Sequence, residues 1–124
     1  MTGGGIITDA GSEAMTTETL IDCQLEAYNR HDLEAFLAFY AEDVRFYDPP
    51  DTLSAQGIAA ARERYERRFA ETPHVRAVIE KRIVQGAYVI DQELLTGWTR
   101  GGTLRAVVMY EVRNGKICAA WFLK

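Results

Sequence analysis

The sequence predicts a single α+β domain, with helices packed on one face of a mainly antiparallel sheet. Two observations carry this reading. Apolar residues recur at helical spacing through most of the first half, and the second half breaks into β-rich segments separated by Gln85-Gly86, Gly101-Gly102 and Asn114-Gly115, the last a strong tight-turn signal.

From Thr17 to Arg30, Leu20, Ile21, Leu25 and Tyr28 fall on one helical face, and Thr16 or Thr17 can cap the first turn. His31 and Asp32 interrupt the pattern. Asp32 can cap a second helix, on which Leu33, Phe36, Leu37 and Tyr40 repeat the i, i+3, i+4, i+7 stripe. Val44 to Asp48 alternate as a short strand that Pro49 and Pro50 must end, because proline cannot continue a ladder. A loop to Gln56 follows. Gly57 then opens a third helix with Ile58, Ala61, Tyr65 and Phe69 inward, leaving Arg62, Glu63, Arg64, Glu66, Arg67 and Arg68 to solvate the rest. Pro73 marks its end, and strands are expected at roughly 74–85, 87–98, 103–113 and 116–123.

Composition narrows the function classes. The 124 residues suit one domain, and 48% hydrophobic with 26% charged residues is the balance of an ordinary globule. A net charge of −4 offers no field to draw phosphate backbones, so nucleic acid is not an expected partner. No apolar run is long enough to span a bilayer, and none resembles an export signal, so no membrane partner and a cytoplasmic location are expected. Residues 1–15 read as a flexible N-terminal tail, with the domain proper at 16–124. Cys23 and Cys118 have no metal-ligand or disulfide-framework spacing. With His31 and His74 the only histidines, no metal is expected, and with no glycine-rich nucleotide loop or nucleophile elbow, no cofactor.

Asp91 and Glu93 lie two apart in a strand, so both project to one side, which Leu95 continues. They either line a pocket, with an arginine such as Arg82 holding one ionised, or belong to a polar or dimer-facing surface. Glu93, nearer the strand centre, is the stronger catalytic candidate. Tyr28, Phe46, Tyr65, Tyr110 and Trp121 supply aromatic area from which pocket walls are built.

The order helix, helix, short strand, helix, antiparallel meander, with AYNRHDLEAFLAFYAEDVRFYDPP at 27–50, VIDQELLTG at 89–97 and AVVMYEVRNGKI at 106–117 followed by Trp121 and Phe122, resembles the nuclear transport factor two-like superfamily. Within it, the sequence is most similar to the SnoaL-like polyketide cyclase and ketosteroid isomerase-like branch. That resemblance implies a cone-shaped roll of three N-terminal helices on a curved, mainly antiparallel sheet, an apolar small-molecule ligand and a homodimer formed through the outer sheet face. It also implies that Asp48, in ED(x)4DP, is a general base at the pocket mouth whose pKa is raised by desolvation. The isomerases stabilise their enolate with a tyrosine of the first helix and a protonated aspartic acid; Gln24 and Val108 or Met109 stand at those positions here, so ketosteroid isomerisation is not implied. Tyr65 matches a helical tyrosine of the isomerases.

The expectation is a cofactor-independent isomerase, cyclase or lyase acting on an apolar carbonyl-bearing molecule. Asp48 and Glu93 are its candidate catalytic residues, and Gln24, Tyr28, Phe46, Tyr65, Asp91, Val108, Tyr110 and Trp121 its candidate substrate contacts. Two alternatives stay open: a non-catalytic binding or dimerisation module, and an epoxide hydrolase, which in related folds surrounds a water with aspartate, arginine and aspartate.

Overall fold

The computed structural model describes residues 15–98 and 101–123. Helix α1 spans Thr17–Asn29, α2 Leu33–Leu37 and α3 Ile58–Glu71, and strands β1 to β6 span Tyr40–Asp48, Thr52–Gln56, Arg76–Gln85, Tyr88–Thr96, Leu104–Arg113 and Lys116–Leu123. All six strands form one sheet in the order β2-β1-β6-β5-β4-β3, antiparallel throughout except where β1 runs parallel to β6. Register shifts at Phe46/Tyr47, Ile79/Lys81 and Glu111/Val112 bend the strands, as bulges do, and the helices pack against the concave side.

The caps follow the residues. Thr16 accepts the Thr19 amide at 3.0 Å and Asp32 the Ala35 amide at 3.1 Å, each closing the first turn of its helix. At Asn114-Gly115 both φ angles are positive, 53° and 74°, as a two-residue hairpin turn requires. Gly97 ends β4 for a different reason: a Cβ there would lie 1.9 Å from the His74 carbonyl oxygen, so only glycine lets the two backbones approach. At the sheet's open edge, the Asn29 side chain both donates to and accepts from the Ala77 backbone, at 2.9 and 2.8 Å. The end of α1 thereby occupies edge groups of β3 that would otherwise stay unpaired.

Two expectations are corrected. The second helix stops at Leu37, and Tyr40 opens β1 rather than ending a helical stripe; a buried ring at that position suits either period. The segment expected as a loop to Gln56 contains β2, which folds back on β1 through the residues that follow Pro49-Pro50. The core is aromatic at its centre, where Phe36 meets Tyr40 and Tyr65 with ring centroids 5.0 and 4.6 Å apart. No helix among the described residues is long and apolar enough to cross a membrane. The expected N-terminal tail lies outside the described residues, save exposed Met15.

Candidate functional site

Strand β4 alternates cleanly, burying Val89, Asp91, Glu93 and Leu95 on its concave face, so the outward-facing alternative for the two acids is overturned. Between this face, α1 and α3 lies a cavity of about 280 Å³. It opens where β1 ends at Asp48 and where Arg64 and Arg68 project from α3, and Glu93 lies in its wall. Across the sheet, Glu93 pairs with Ala106, whose small side chain leaves the carboxyl facing open space.

Glu93 is 7% exposed, and its pKa is pushed up to about 7. Burial is the main cause and the neighbouring charge of Asp91 adds to it, whereas a hydrogen bond from Tyr110 and the positive charge of Arg68 favour the ionised form. Tyr110 belongs to a buried polar chain. The Tyr40 hydroxyl donates to Gln24 Oε1 at 2.9 Å, and Gln24 Nε2 reaches the Ile21 carbonyl and the Tyr110 hydroxyl at 3.4 Å each. Burial raises the pKa of Tyr40 and Tyr110 well above the ordinary tyrosine value and that of Tyr65 to about 12, so all three present protonated hydroxyls at neutral pH. The result is a mainly apolar and aromatic cavity with one acid of near-neutral pKa and several fixed donors.

Of the expected contacts, Gln24, Tyr28, Tyr65, Val108 and Tyr110 line the cavity together with Asp48 and Glu93. Asp48 is at the mouth, as expected, but it is exposed, so the desolvation expected there is found at Glu93 instead. Three expected contacts are corrected. Phe46 is fully buried behind the lining, against Tyr65 and Phe122. Trp121 faces away from the cavity, stacked on Tyr47 with centroids 5.1 Å apart. Asp91 points inward but is sequestered by Arg82, whose Nε and Nη2 donate to its two oxygens at 2.6 and 2.9 Å while Nη1 donates to Asp22 at 2.6 Å. An arginine between two aspartates therefore exists, as an epoxide hydrolase would require, but none of the three lines the cavity, which removes support for that alternative.

Arg64 and Arg68 were missed because they read as solvated helix surface. The signal was present: Ala61, Arg64, Tyr65 and Arg68 are themselves an i, i+3, i+4, i+7 set, and two members, Ala61 and Tyr65, are buried. His31 contributes no chemistry to the cavity; its Nε2 contacts the Val75 carbonyl at 2.8 Å and its ring stacks on Phe69. Among the described residues no group of three or more His, Cys, Asp and Glu gathers so as to hold a metal ion.

Three helices over a curved sheet, with a small-molecule-sized cavity between them, define a nuclear transport factor two-like protein. The SnoaL-like domain family matches residues 23–120, and the chain belongs to that family. Solved structures agree on the fold. A cystatin-fold protein from Novosphingobium aromaticivorans superposes with a TM-score of 0.80 at 21% identity, covering 89% of this chain and 99% of its own. A protein of ketosteroid isomerase-like fold from Catenulispora acidiphila, in complex with trimethylamine, gives 0.74 at 17% identity over 88% of this chain and 87% of its own. TerC, co-crystallized with polyporic acid, gives 0.73 at 20% identity over 86% and 89%. Likeness at these identities shows the fold alone. The comparison with curated proteins gives no match.

Proposed function

We propose that the cavity binds an apolar, carbonyl-bearing small molecule and that Glu93 moves a proton on it, making the protein a cofactor-independent enzyme of the isomerase, cyclase or lyase type. One observation carries this reading: a buried carboxyl in the cavity wall, free of any salt bridge among the described residues, with a pKa of about 7. Near neutral pH such a group is present in both protonation states, the condition under which one residue serves as base and then as acid. In its ionised form Glu93 takes a proton from the carbon beside the carbonyl, and the electrons of that C–H bond pass to the carbonyl oxygen as an enolate. Tyr65, which keeps its proton to about pH 12, is the donor suited to the developing oxyanion. Glu93 then returns the proton to the same or another carbon, so no co-reactant is consumed. Two structural neighbours hold small organic molecules, an amine in one and an acid in the other, which supports a binding role for the cone in this fold class.

Exchange of the α-protons of β-tetralone for solvent deuterium, followed by proton NMR, tests the chemistry directly. The wild-type chain is expected to accelerate exchange, Glu93→Gln to lose about 10² to 10⁴ of that acceleration, and Asp48→Asn to lose less than about tenfold. Full activity in Glu93→Gln would overturn the assignment, and loss confined to Asp48→Asn would move the base to the mouth.

The homodimer is a proposal resting on the outer face. Ile83, Ile90, Met109, Trp121 and Tyr47 form one cross-strand row there, with Ile83 61% exposed. A dimer mass by light scattering at micromolar concentration is expected; a monomer mass refutes it.

A further inference from the structure

We propose that the ligand of this cavity is an organic acid whose carboxylate is held at the mouth by Arg64 and Arg68, while its apolar body and carbonyl enter toward Glu93. The proposal rests on the reading of the cavity as a small-molecule site and adds the class of molecule it selects.

The two arginines stand one helical turn apart on the stripe of α3 that faces the cavity, and both are half-buried. On another side of the same helix, Arg62 is engaged by the Glu34 carboxylate. Arg64 and Arg68 have no such partner: among the described residues neither forms a salt bridge. Arg64 makes one long contact, from Nη2 to Ser54 Oγ at 3.3 Å, and lies over the rings of Phe46 and Phe122 at 4.9 and 5.7 Å. Arg68 donates to the Tyr28 hydroxyl at 2.9 Å and lies over the Trp98 ring at 5.1 Å. Each guanidinium is thus positioned by aromatic faces and a neutral oxygen, while among the described residues most of its five N–H donors have no protein acceptor.

Partly desolvated cations without a counter-charge are costly to a fold, and a bound anion offsets that cost. A carboxylate answers the fork geometry of guanidinium with paired, charge-assisted hydrogen bonds. Orientation follows from the distribution of charge. Glu93 lies in the cavity wall two residues along β4 from Asp91, so an anion placed against it would oppose its ionisation, whereas Arg64 and Arg68 bring two cations to the lining beside, among the described residues, the one exposed lining carboxylate, Asp48. The carboxylate belongs at the mouth and the carbonyl inside, which describes an apolar oxo acid.

Calorimetric titration with β-naphthoic acid and its neutral isostere β-naphthamide tests the selection, since the two share shape and differ in charge. The acid is expected to bind wild type at least about tenfold more tightly, with the preference shrinking as salt is added. Arg64→Gln should reduce the preference and Arg64→Gln/Arg68→Gln should bring the two probes within about twofold, with amide affinity unchanged. Because Arg68 also ties Tyr28, Arg64→Gln serves as the variant least able to disturb the fold. Equal affinity for both probes in wild type, or a preference undiminished in either variant, would overturn the proposal while leaving proton transfer by Glu93 standing. Loss of β-tetralone exchange dependence on Glu93 with the acid preference intact would remove only the chemistry. Failure of both probes to bind wild type would remove the cavity reading and this proposal together, and binding of the amide without the acid would overturn this proposal alone.

Discussion

Asp91 and Glu93 share a strand and a face, and both are buried, yet the fold treats them oppositely. Asp91, 1% exposed, gives both oxygens to Arg82, which reaches on to Asp22 of α1 and so ties the helix to the sheet edge. Glu93 has Ala106 beside it and the cavity before it, with no salt bridge among the described residues, and its pKa sits near 7. Burial is common to both, so burial alone does not decide whether an acid is held in an ion pair or left facing a cavity. The decisive difference is whether a cation has been buried alongside.

The comparison breaks most severely if Arg82 is removed. Arg82→Met should leave Asp91 buried without its partner and cost about 3 to 5 kcal/mol at neutral pH in urea denaturation. Adding Asp91→Leu to that variant should recover much of the loss, since the stranded charge is then gone. A cost below about 1 kcal/mol for Arg82→Met would mean that the pair contributes no more than an exposed ion pair.

Glu93 should show its isolation as a pH dependence of opposite character. Its folded pKa of about 7 lies above the ordinary 4.5, so between those values the folded chain holds a proton that the unfolded chain has released. The stability Glu93 contributes is therefore fully present below about pH 4.5 and is lost as pH rises through 7. The loss is about 3 kcal/mol at most. Glu93→Gln carries no such proton, so the stability difference between wild type and variant should swing in favour of the variant over this range and level off above it. A difference independent of pH from 4.5 to 8 would place the Glu93 pKa at its ordinary value.

Much of this contrast was legible in the sequence, but not its outcome. The spacing of positions 91, 93 and 95 gave the shared face, and Arg82 could be named as a partner for one acid because period-two alternation is a property of the strand itself. Which acid it would choose depends on the register of β3 against β4, where Arg82 stands opposite Asp91 beyond a bulge that alternation does not reveal. Asp48 illustrates a related limit. Its place at the cavity mouth followed from the motif that ends β1, but its exposure depends on how β2 folds back, and that strand reads as loop because Thr52–Gln56 has a mostly exposed side-chain pattern. The mouth arginines are not legible in the sequence by charge alone, because charged residues on a helix ordinarily face water. Arg64 and Arg68 show that a cation adjoining a buried stripe can rest on aromatic faces at a cavity instead.

The finest adjustment to Glu93 comes from Tyr110, one strand away, and a single oxygen tests it. The hydrogen bond from Tyr110 acts against burial by favouring the ionised carboxylate. Tyr110→Phe removes that donor, while Gln24 keeps its bond from Tyr40 and the side chain retains its ring, so the cavity wall should persist. The pKa of Glu93, followed by carbon NMR of its carboxyl, should then rise by roughly one pH unit above its wild-type value. The stability loss assigned to Glu93 should extend to correspondingly higher pH. A fall instead of a rise would mean that Tyr110 accepts a hydrogen bond from the protonated Glu93 carboxyl rather than donating one, reversing the polarity of the chain from Tyr40 through Gln24 and making the neutral acid, not the carboxylate, the form the cavity is built to hold.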